Sequence, residues 1–288
     1  MTIAAILWSG NLLIGRGVHE IMPPIGLAFW RWVGALPIFL ILAWPRLGQD
    51  WRLAKAHWLL MILLSVMSVT AFNSFLYVGL GSTPAINAML ILTGRPTMIV
   101  ALSYLFFRER ITALQGLGFV LGLAGTAIIV LRGNLDILQG VQLYPGDFWV
   151  LGATTSWAVY TVFLSKRPAI SANGFMTLTV MIGLVFLTPL YLWEAIYVKP
   201  VPIQPETFWS IGYLVLFAGV AAFLLYDRAV GLIGPNRVAL ISYLGTAVGT
   251  VGAIILLDEE FRAYHAVGIV VILLGIYLGS RRRKAEAD

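Results

Sequence analysis

The chain contains no cysteine. Disulfides, thiolate catalysis and cysteine-ligated metals are therefore excluded from its chemistry. Charge is almost as scarce. Only 11% of its 288 residues are Asp, Glu, Lys or Arg, against about 25% in an ordinary soluble domain. So few charged side chains cannot cover a water-soluble globule of this size, and disorder, which needs high charge and low hydrophobicity, is excluded too. Enzyme signatures are also missing. The three histidines, His19, His57 and His265, are scattered without metal-ligand spacing. No HExxH, GxSxG or phosphate-cradling glycine loop occurs. Neither an enzyme, nor a metal, nor a tightly held cofactor is expected.

What the chain has instead is apolar length: 60% of its residues are hydrophobic. A helix needs about 20 apolar residues to cross about 30 Å of hydrocarbon. Divided at charge clusters and Pro/Gly breaks, the apolar segments run 2–18, 24–44, 57–80, 84–107, 112–131, 147–165, 173–193, 207–229, 235–257 and 263–280. They are too long, and too apolar all round, for the alternating strands of a membrane barrel. The first lacks a basic leader and a small-x-small cleavage site and carries Asn11 and Arg16, so it reads as a span rather than a signal peptide. The expected fold class is all-α and integral to the membrane, with ten spans.

The positions of the basic residues set an orientation. One set of loops and the tail holds Arg46, Arg52, Lys55, Arg108, Arg110, Lys166, Arg167, Arg228, Arg237, Arg281, Arg282, Arg283 and Lys284. The opposite set holds Arg16, Arg132, Lys199 and Arg262, and only Arg31 and Arg95 remain inside spans. Positive loops stay in the cytoplasm, so both termini are expected there. The net charge of +6 is thus orientation signal and headgroup contact, and no nucleic-acid partner is expected.

The longest irregular stretch, 132–146, lies near the midpoint and divides the chain into 1–131 and 147–280, with a basic tail at 281–288. Shifting the chain by 150 residues places Gly81, Leu90, Ile91, Glu109, Ala113, Gly118, Val120, Leu123 and Gly125 on Gly231, Leu240, Ile241, Glu259, Ala263, Gly268, Val270, Leu273 and Gly275. Each half has five spans, an odd number, so the two halves must enter the membrane from opposite sides. Inverted repeats of this kind are a mark of secondary transporters.

Particular residues carry a resemblance. They are Trp8-Ser9-Gly10-Asn11 with Arg16, Leu27-Ala28-Phe29-Trp30-Arg31, Tyr77, Gly79-Leu80, Pro96, and Glu109-Arg110 ahead of Gln115 and Gly118. The second half echoes them with Trp157, Tyr226, Ala229, Glu259 and Gly268. The sequence resembles the ten-span drug/metabolite transporter superfamily with its two EamA-type half repeats, and within it the bacterial aromatic amino-acid exporters. The resemblance implies export of hydrophobic, aromatic and other neutral amino acids across the inner membrane by alternating access. It also implies a central cavity lined by spans 1–4 and 6–9, with spans 5 and 10 peripheral. Two positions depart from the family: Arg95 stands where a neutral or acidic residue is more usual, and Thr246 replaces the second-half counterpart of Pro96.

The candidate site follows from chemistry rare in a membrane. Burying a guanidinium costs about 2.5–3.5 kcal/mol or more. Arg95, beside Pro96, suits a substrate carboxylate through its planar fork, or else the backbone carbonyls that a proline frees. Arg31 reads chiefly as a structural partner of carbonyls or of the surface. Asn11 and Asn73 are the in-span amides expected at the cavity. Asn87, Thr93, Ser156, Thr161, Ser242 and Thr246 read as glue between helices. Trp8, Tyr77, Trp157, Tyr160 and Tyr243 are expected to bound the substrate's apolar part, although for any single ring helix packing explains as much. Glu109, Glu259 and Pro96 are gating candidates, the glutamates as ion-pair partners or loop anchors and the proline as hinge or static kink. No carboxylate is expected at a midplane, which points to transport driven by the substrate gradient. Gly118-x-x-x-Gly122, Gly245-x-x-x-Gly249 and Gly275-x-x-x-Gly279 allow close helix approach within one chain or in a homodimer. Another small metabolite or an organic cation remains an alternative cargo, and a channel or scaffold an alternative class.

Overall fold

The computed structural model describes residues 2–18, 21–140, 142–248, 251 and 262–280, with the side chains of residues 2, 5, 9, 12, 13, 15, 16, 85, 86 and 138–140 outside the description. Glu259, Gly249 and the 281–288 tail therefore lie outside the described residues, as does the side chain of Arg16.

The described secondary structure is helical. In chain order it comprises α1 (Thr2–Gly17), α2 (Pro24–Ala43), the short α3 (Leu47–Lys55), and α4 (Trp58–Leu80), which contains a π-helical segment, Val66–Ala71. Then come α5, broken at Gly94 into Ala85–Thr93 and Arg95–Phe107, α6 (Ala113–Val130), a 3-10 turn at Leu135–Gly140, and α7 (Pro145–Leu164). The rest is α8 (Ala172–Tyr197), α9 (Pro205–Ile233) with a second π segment at Leu214–Ala221, α10 (Pro235–Ser242), and α11 (Ala263–Ser280). Proline in the first turn starts α2, α7, α9 and α10, where its missing N–H costs nothing. Thr112 and Gln115 form a capping box at the start of α6.

Among the described residues, seven helices are long and apolar enough to cross a membrane: 24–43, 58–80, 87–107, 113–130, 172–197, 205–233 and 263–280. Their outer faces carry large apolar side chains in the open, among them Ile41, Leu105, Val120, Val185, Trp209 and Val270, a surface suited to lipid rather than water. The 20-residue α7 is more polar, with Asp147, four Ser/Thr residues and Tyr160, and it is largely enclosed: it packs on α4, α5, α9 and α10.

The remaining packing pairs α2 with α8, α1 with α9, α5 with α10 and α6 with α11. α2 and α8 run antiparallel, and a carboxylate caps the start of each. Glu194, near the end of α8, accepts from the N–H groups of Ile25 (3.1 Å) and Gly26 (2.6 Å) at the start of α2. Asp50, on α3 just beyond α2, accepts from the Ser171 N–H (3.1 Å) and hydroxyl (2.5 Å) at the start of α8. Each satisfies donors that no helix can satisfy internally, at the end where the helix dipole favours negative charge. The sequence pattern places 46–56 in a loop. Burial of Asp50 and Ala54 along one side of it makes it α3 instead.

The glycines of α6 and α11 pack within the chain. A Cβ on Gly118 would lie 2.6 Å from the Gly275 carbonyl oxygen, and one on Gly125 2.7 Å from that of Gly268. α6 and α11 therefore touch backbone to backbone, and only glycine permits it.

Candidate functional site

Arg31 is wholly buried at the centre of α2. Its Nη1 donates to Asn73 Oδ1 (2.9 Å), to the Tyr77 hydroxyl (3.2 Å) and, at longer range, to Asn11 Oδ1 (3.4 Å). Its Nη2 donates to the Ala218 carbonyl (2.9 Å). Tyr77 in turn donates to Asn11 Oδ1 (2.6 Å), and Trp8 Nε1 donates to the same Ala218 carbonyl (3.1 Å). The partners found for this cation are all neutral, and its buried Nε has none among the described residues. Three residues that the sequence offers as substrate ligands, Asn11, Asn73 and Tyr77, are thus gathered around Arg31.

Both π segments feed this network. Ala218 lies in the one on α9, and Asn73 Nδ2 donates to the Ser68 carbonyl (3.0 Å) in the one on α4. A π turn widens the helix and redirects its carbonyls, which is why such segments gather at functional sites. Gly219, in the α9 segment, lies beside the guanidinium: a Cβ there would crowd the Leu214 carbonyl oxygen at 2.9 Å and only touch Arg31 Nε at 3.6 Å.

Beside this network lies a cluster of rings. Trp8 and Trp157 meet edge to face at 5.1 Å. Phe223 lies 5.6 Å from Trp8 and 5.4 Å from Trp157, Tyr226 lies 5.2 Å and 5.0 Å from the same two, and Tyr160 and Phe72 lie 5.4 Å and 4.6 Å from Trp157. The polar tips of the rings are tied down, as buried Trp and Tyr require. Trp157 Nε1 donates to the Tyr226 hydroxyl (3.1 Å), which also bonds Thr161 (2.6 Å), and Tyr160 donates to Asp227 Oδ1 (2.6 Å). Sequence reasoning does not single out Phe72 or Phe223, whose only signal is their place on α4 and α9.

Two guanidiniums bracket the rings. Arg31 Cζ stands 4.9 Å from the Trp32 ring and 5.7 Å from Phe223. Arg95 Cζ stands 5.4 Å from Phe72 and 5.8 Å from Trp157. Arg95 opens the second part of α5, directly after the break at Gly94, and is only half-buried. Its Nε is buried without an acceptor among the described residues. Pro96 lies in the first turn of this new helix, where it breaks no hydrogen bond.

Tyr243 stands apart from this centre. It marks the turn that ends α10, its ring lies against Gly122 of α6, and it belongs to a second apolar cluster with Ile99, Phe119, Ala239 and Leu240. Glu109 Oε2 accepts from Asn236 Nδ2 (3.2 Å), joining the α5–α6 loop to the start of α10. The hydroxyls of Thr93, Ser156, Thr161 and Ser242 each bond a carbonyl one turn back on their own helix. For Thr93, Ser156 and Ser242 this is local back-bonding rather than a tie between helices, whereas Thr161 also bonds the Tyr226 hydroxyl and so joins α7 to α9. Asn87 does tie helices, donating to Asp147 Oδ2 (2.9 Å) at the start of α7. A cavity of about 260 Å³, lined by Met22, Pro24, Leu27, Tyr77, Val78, Gly81 and Ser82, reaches the network at Tyr77.

The chain matches the EamA-like transporter family twice, over residues 1–131 and 144–281. It is 29% identical to an uncharacterized transporter of Archaeoglobus fulgidus, with 98% of this chain and 96% of that protein covered. It is 27% identical to a probable amino-acid metabolite efflux pump of Escherichia coli, with 98% and 95% covered. A protein of known crystal structure shares the fold at 17% identity with a TM-score of 0.77, over 96% of this chain and 94% of that one. With helices long and apolar enough for several crossings, the chain is a multi-pass membrane transporter and belongs to the EamA-like transporter family.

Proposed function

We propose that the protein exports neutral amino acids with large apolar side chains from the bacterial cytoplasm, by alternating access. In this reading it lies in the inner membrane as ten spans with both termini cytoplasmic. Two inverted five-span repeats, 1–131 and 147–280, are joined by the extracytoplasmic 132–146 connection. Several features support the repeat. The family matches in two segments. The π segments begin at Val66 and Leu214, and the breaks near the middle of their apolar runs fall at Gly94 and Tyr243, an offset of about 150 residues each time. Pairing α2 with α8, α5 with α10 and α6 with α11, and crossing α1–α9 with α4–α7, is the pattern that a two-fold axis in the membrane plane produces.

The observation that carries the substrate assignment is the ring cluster bracketed by two guanidiniums. In this reading the rings Trp8, Trp157, Phe72 and Tyr160 part to receive a large apolar side chain, and Arg95, with its unmet Nε, takes the carboxylate as a planar fork. Asn11, Asn73 and Tyr77, oriented by Arg31, offer neutral polar contacts. Tyr243 then acts at the α6–α10 contact rather than on the substrate. The break at Gly94–Pro96 is the hinge of this reading, and the Glu109–Asn236 bond, with Glu259 as the repeat counterpart of Glu109, serves the gates. Relatives in Escherichia coli and Salmonella typhimurium named as probable amino-acid metabolite efflux pumps favour the same cargo. The test is release from cells overproducing the chain and fed a phenylalanine-containing dipeptide. Faster appearance of free phenylalanine in the medium than in vector controls is expected, and equal rates would overturn the reading.

A further inference from the structure

Asp227 is a buried acid in this region that the proposed binding mode leaves unused. The sequence pattern ends its span at 229, which places the residue at a boundary. α9 instead continues to Ile233 and Asp227 is wholly buried. Its Oδ1 accepts from the Tyr160 hydroxyl (2.6 Å), while its Oδ2 is buried with no partner among the described residues. The helices packed against this part of α9 are α1, α7, α8 and α10. α1 has a single charged residue, Arg16, near its far end, and α8 has only Glu194, which caps α2. α10 carries Arg237, and α7 presents Tyr160, with Lys166 and Arg167 following it. Lys166 stacks over Phe107 at 4.8 Å. On α9 itself, the Tyr226 hydroxyl is taken by Trp157 and Thr161, and Arg228 points outward to an exposed position. The cation whose field reaches Asp227 is Arg167. It lies over the Phe175 ring (5.1 Å), and its buried Nη1 has no partner among the described residues.

A buried carboxylate with one donor is costly as an anion and far cheaper as the neutral acid. Its place is also specific: Tyr160, its hydrogen-bond donor, packs on Trp157, the ring that Arg95 covers from another side. A zwitterion held by Arg95 brings an ammonium group along this ring cluster, and Oδ2 is the anionic acceptor there with nothing bound. A metal cation is disfavoured, because it needs several oxygens and the positive field of Arg167 acts on the same carboxyl.

We propose that Asp227 carries a proton when the site is empty and exchanges it for the substrate's ammonium, which makes export a proton antiport. This rests on the amino-acid reading above. In the exchange the carboxylic O–H breaks and its proton passes to water. The carboxylate left behind pairs with the incoming R–NH3+, whose own N–H bonds stay intact, and Arg167 steadies the anion while water is present. On the return leg the carboxylate takes up a proton from the outer side as the substrate leaves.

The test is proton release from the purified full-length chain in weakly buffered detergent solution, read with a pH dye alongside calorimetric binding of three ligands. Phenylalanine and its decarboxylated analogue phenethylamine should each release about one proton per bound molecule below the carboxyl's pKa, and 3-phenylpropionate, which lacks the ammonium, none. The apparent affinity for phenylalanine should weaken about tenfold per pH unit in that range. In D227N the release and the pH dependence should both disappear, with a monodisperse elution profile as the fold control. Phenylalanine binding with no proton release and no pH dependence in the wild-type chain would overturn this proposal alone. No phenylalanine binding at any pH would instead overturn the amino-acid reading. Proton release on 3-phenylpropionate binding would place the exchange at some group other than Asp227.

Discussion

Replacing Arg95 with alanine separates a binding role from a structural one. Its Nε has no acceptor among the described residues and its guanidinium rests on Phe72 and Trp157. Removing it therefore strands no partner, and the fold loses only ring contact, on the order of 0.5–2 kcal/mol. The bound substrate loses more. Hydrogen bonds to a charged group are worth about 1.5–3 kcal/mol, which corresponds to roughly 13- to 160-fold in affinity. Arg31→Ala should show the opposite balance. It leaves Asn73 Oδ1 without its guanidinium donor in a buried setting, at about 1–3 kcal/mol, and it opens a cavity besides. The assay is half-inhibition of labelled phenylalanine exchange in proteoliposomes, with melting temperature in detergent measured on the same preparations. Arg95→Ala should weaken inhibition by phenylalanine at least tenfold and leave inhibition by phenethylamine within about threefold. A variant that keeps wild-type affinity for phenylalanine, or that melts as early as Arg31→Ala, would refute the carboxylate role.

Three further outcomes follow from the packing. Gly125→Val should destabilise the protein by about 1–3 kcal/mol as an overpacked contact, since its Cβ would meet the Gly268 carbonyl oxygen at 2.7 Å and Ile272 N at 2.9 Å. Gly116→Ala, whose Cβ would meet only Ile111 Cδ1 at 3.7 Å, should be neutral or stabilising by up to about 1 kcal/mol. Thermal melts in detergent check both. Asp50→Ala and Glu194→Ala should each lower stability by about 0.5–2 kcal/mol through loss of a helix cap, and because the two caps sit at opposite ends of the α2–α8 pair, the double variant should be close to additive. Tyr226→Phe should cost about 1–3 kcal/mol by leaving the buried Trp157 N–H without its acceptor, seen as a lower melting temperature.

Much of the fold was legible because the bilayer imposes long apolar runs, and Pro24, Pro145, Pro205 and Pro235 mark helix starts by simple backbone chemistry. The site was legible as residue types rather than as a network. Asn11, Asn73 and Tyr77 stand out as polar groups in spans, but Arg31 gathers them across 20, 42 and 46 positions, and no periodicity announces that pairing. Arg31 itself does bind a backbone carbonyl, one of its two structural alternatives, while also organising the candidate ligands. The π segments at Val66–Ala71 and Leu214–Ala221 escape notice because a π turn has no composition of its own. Asp227 is hidden for a related reason: Arg228 beside it looks like the end of a span, yet an arginine there can face outward while its neighbour faces the core.

The most direct measurement is counterflow by the purified chain. Proteoliposomes preloaded with unlabelled phenylalanine are diluted into trace labelled phenylalanine, with no ion gradient applied. The expected result is transient accumulation of label that requires the internal substrate and is suppressed by other large neutral amino acids but not by glycine at equal concentration. Absence of accumulation with every amino acid tried, alongside clear counterflow of an organic cation without a carboxylate, would contradict the assignment.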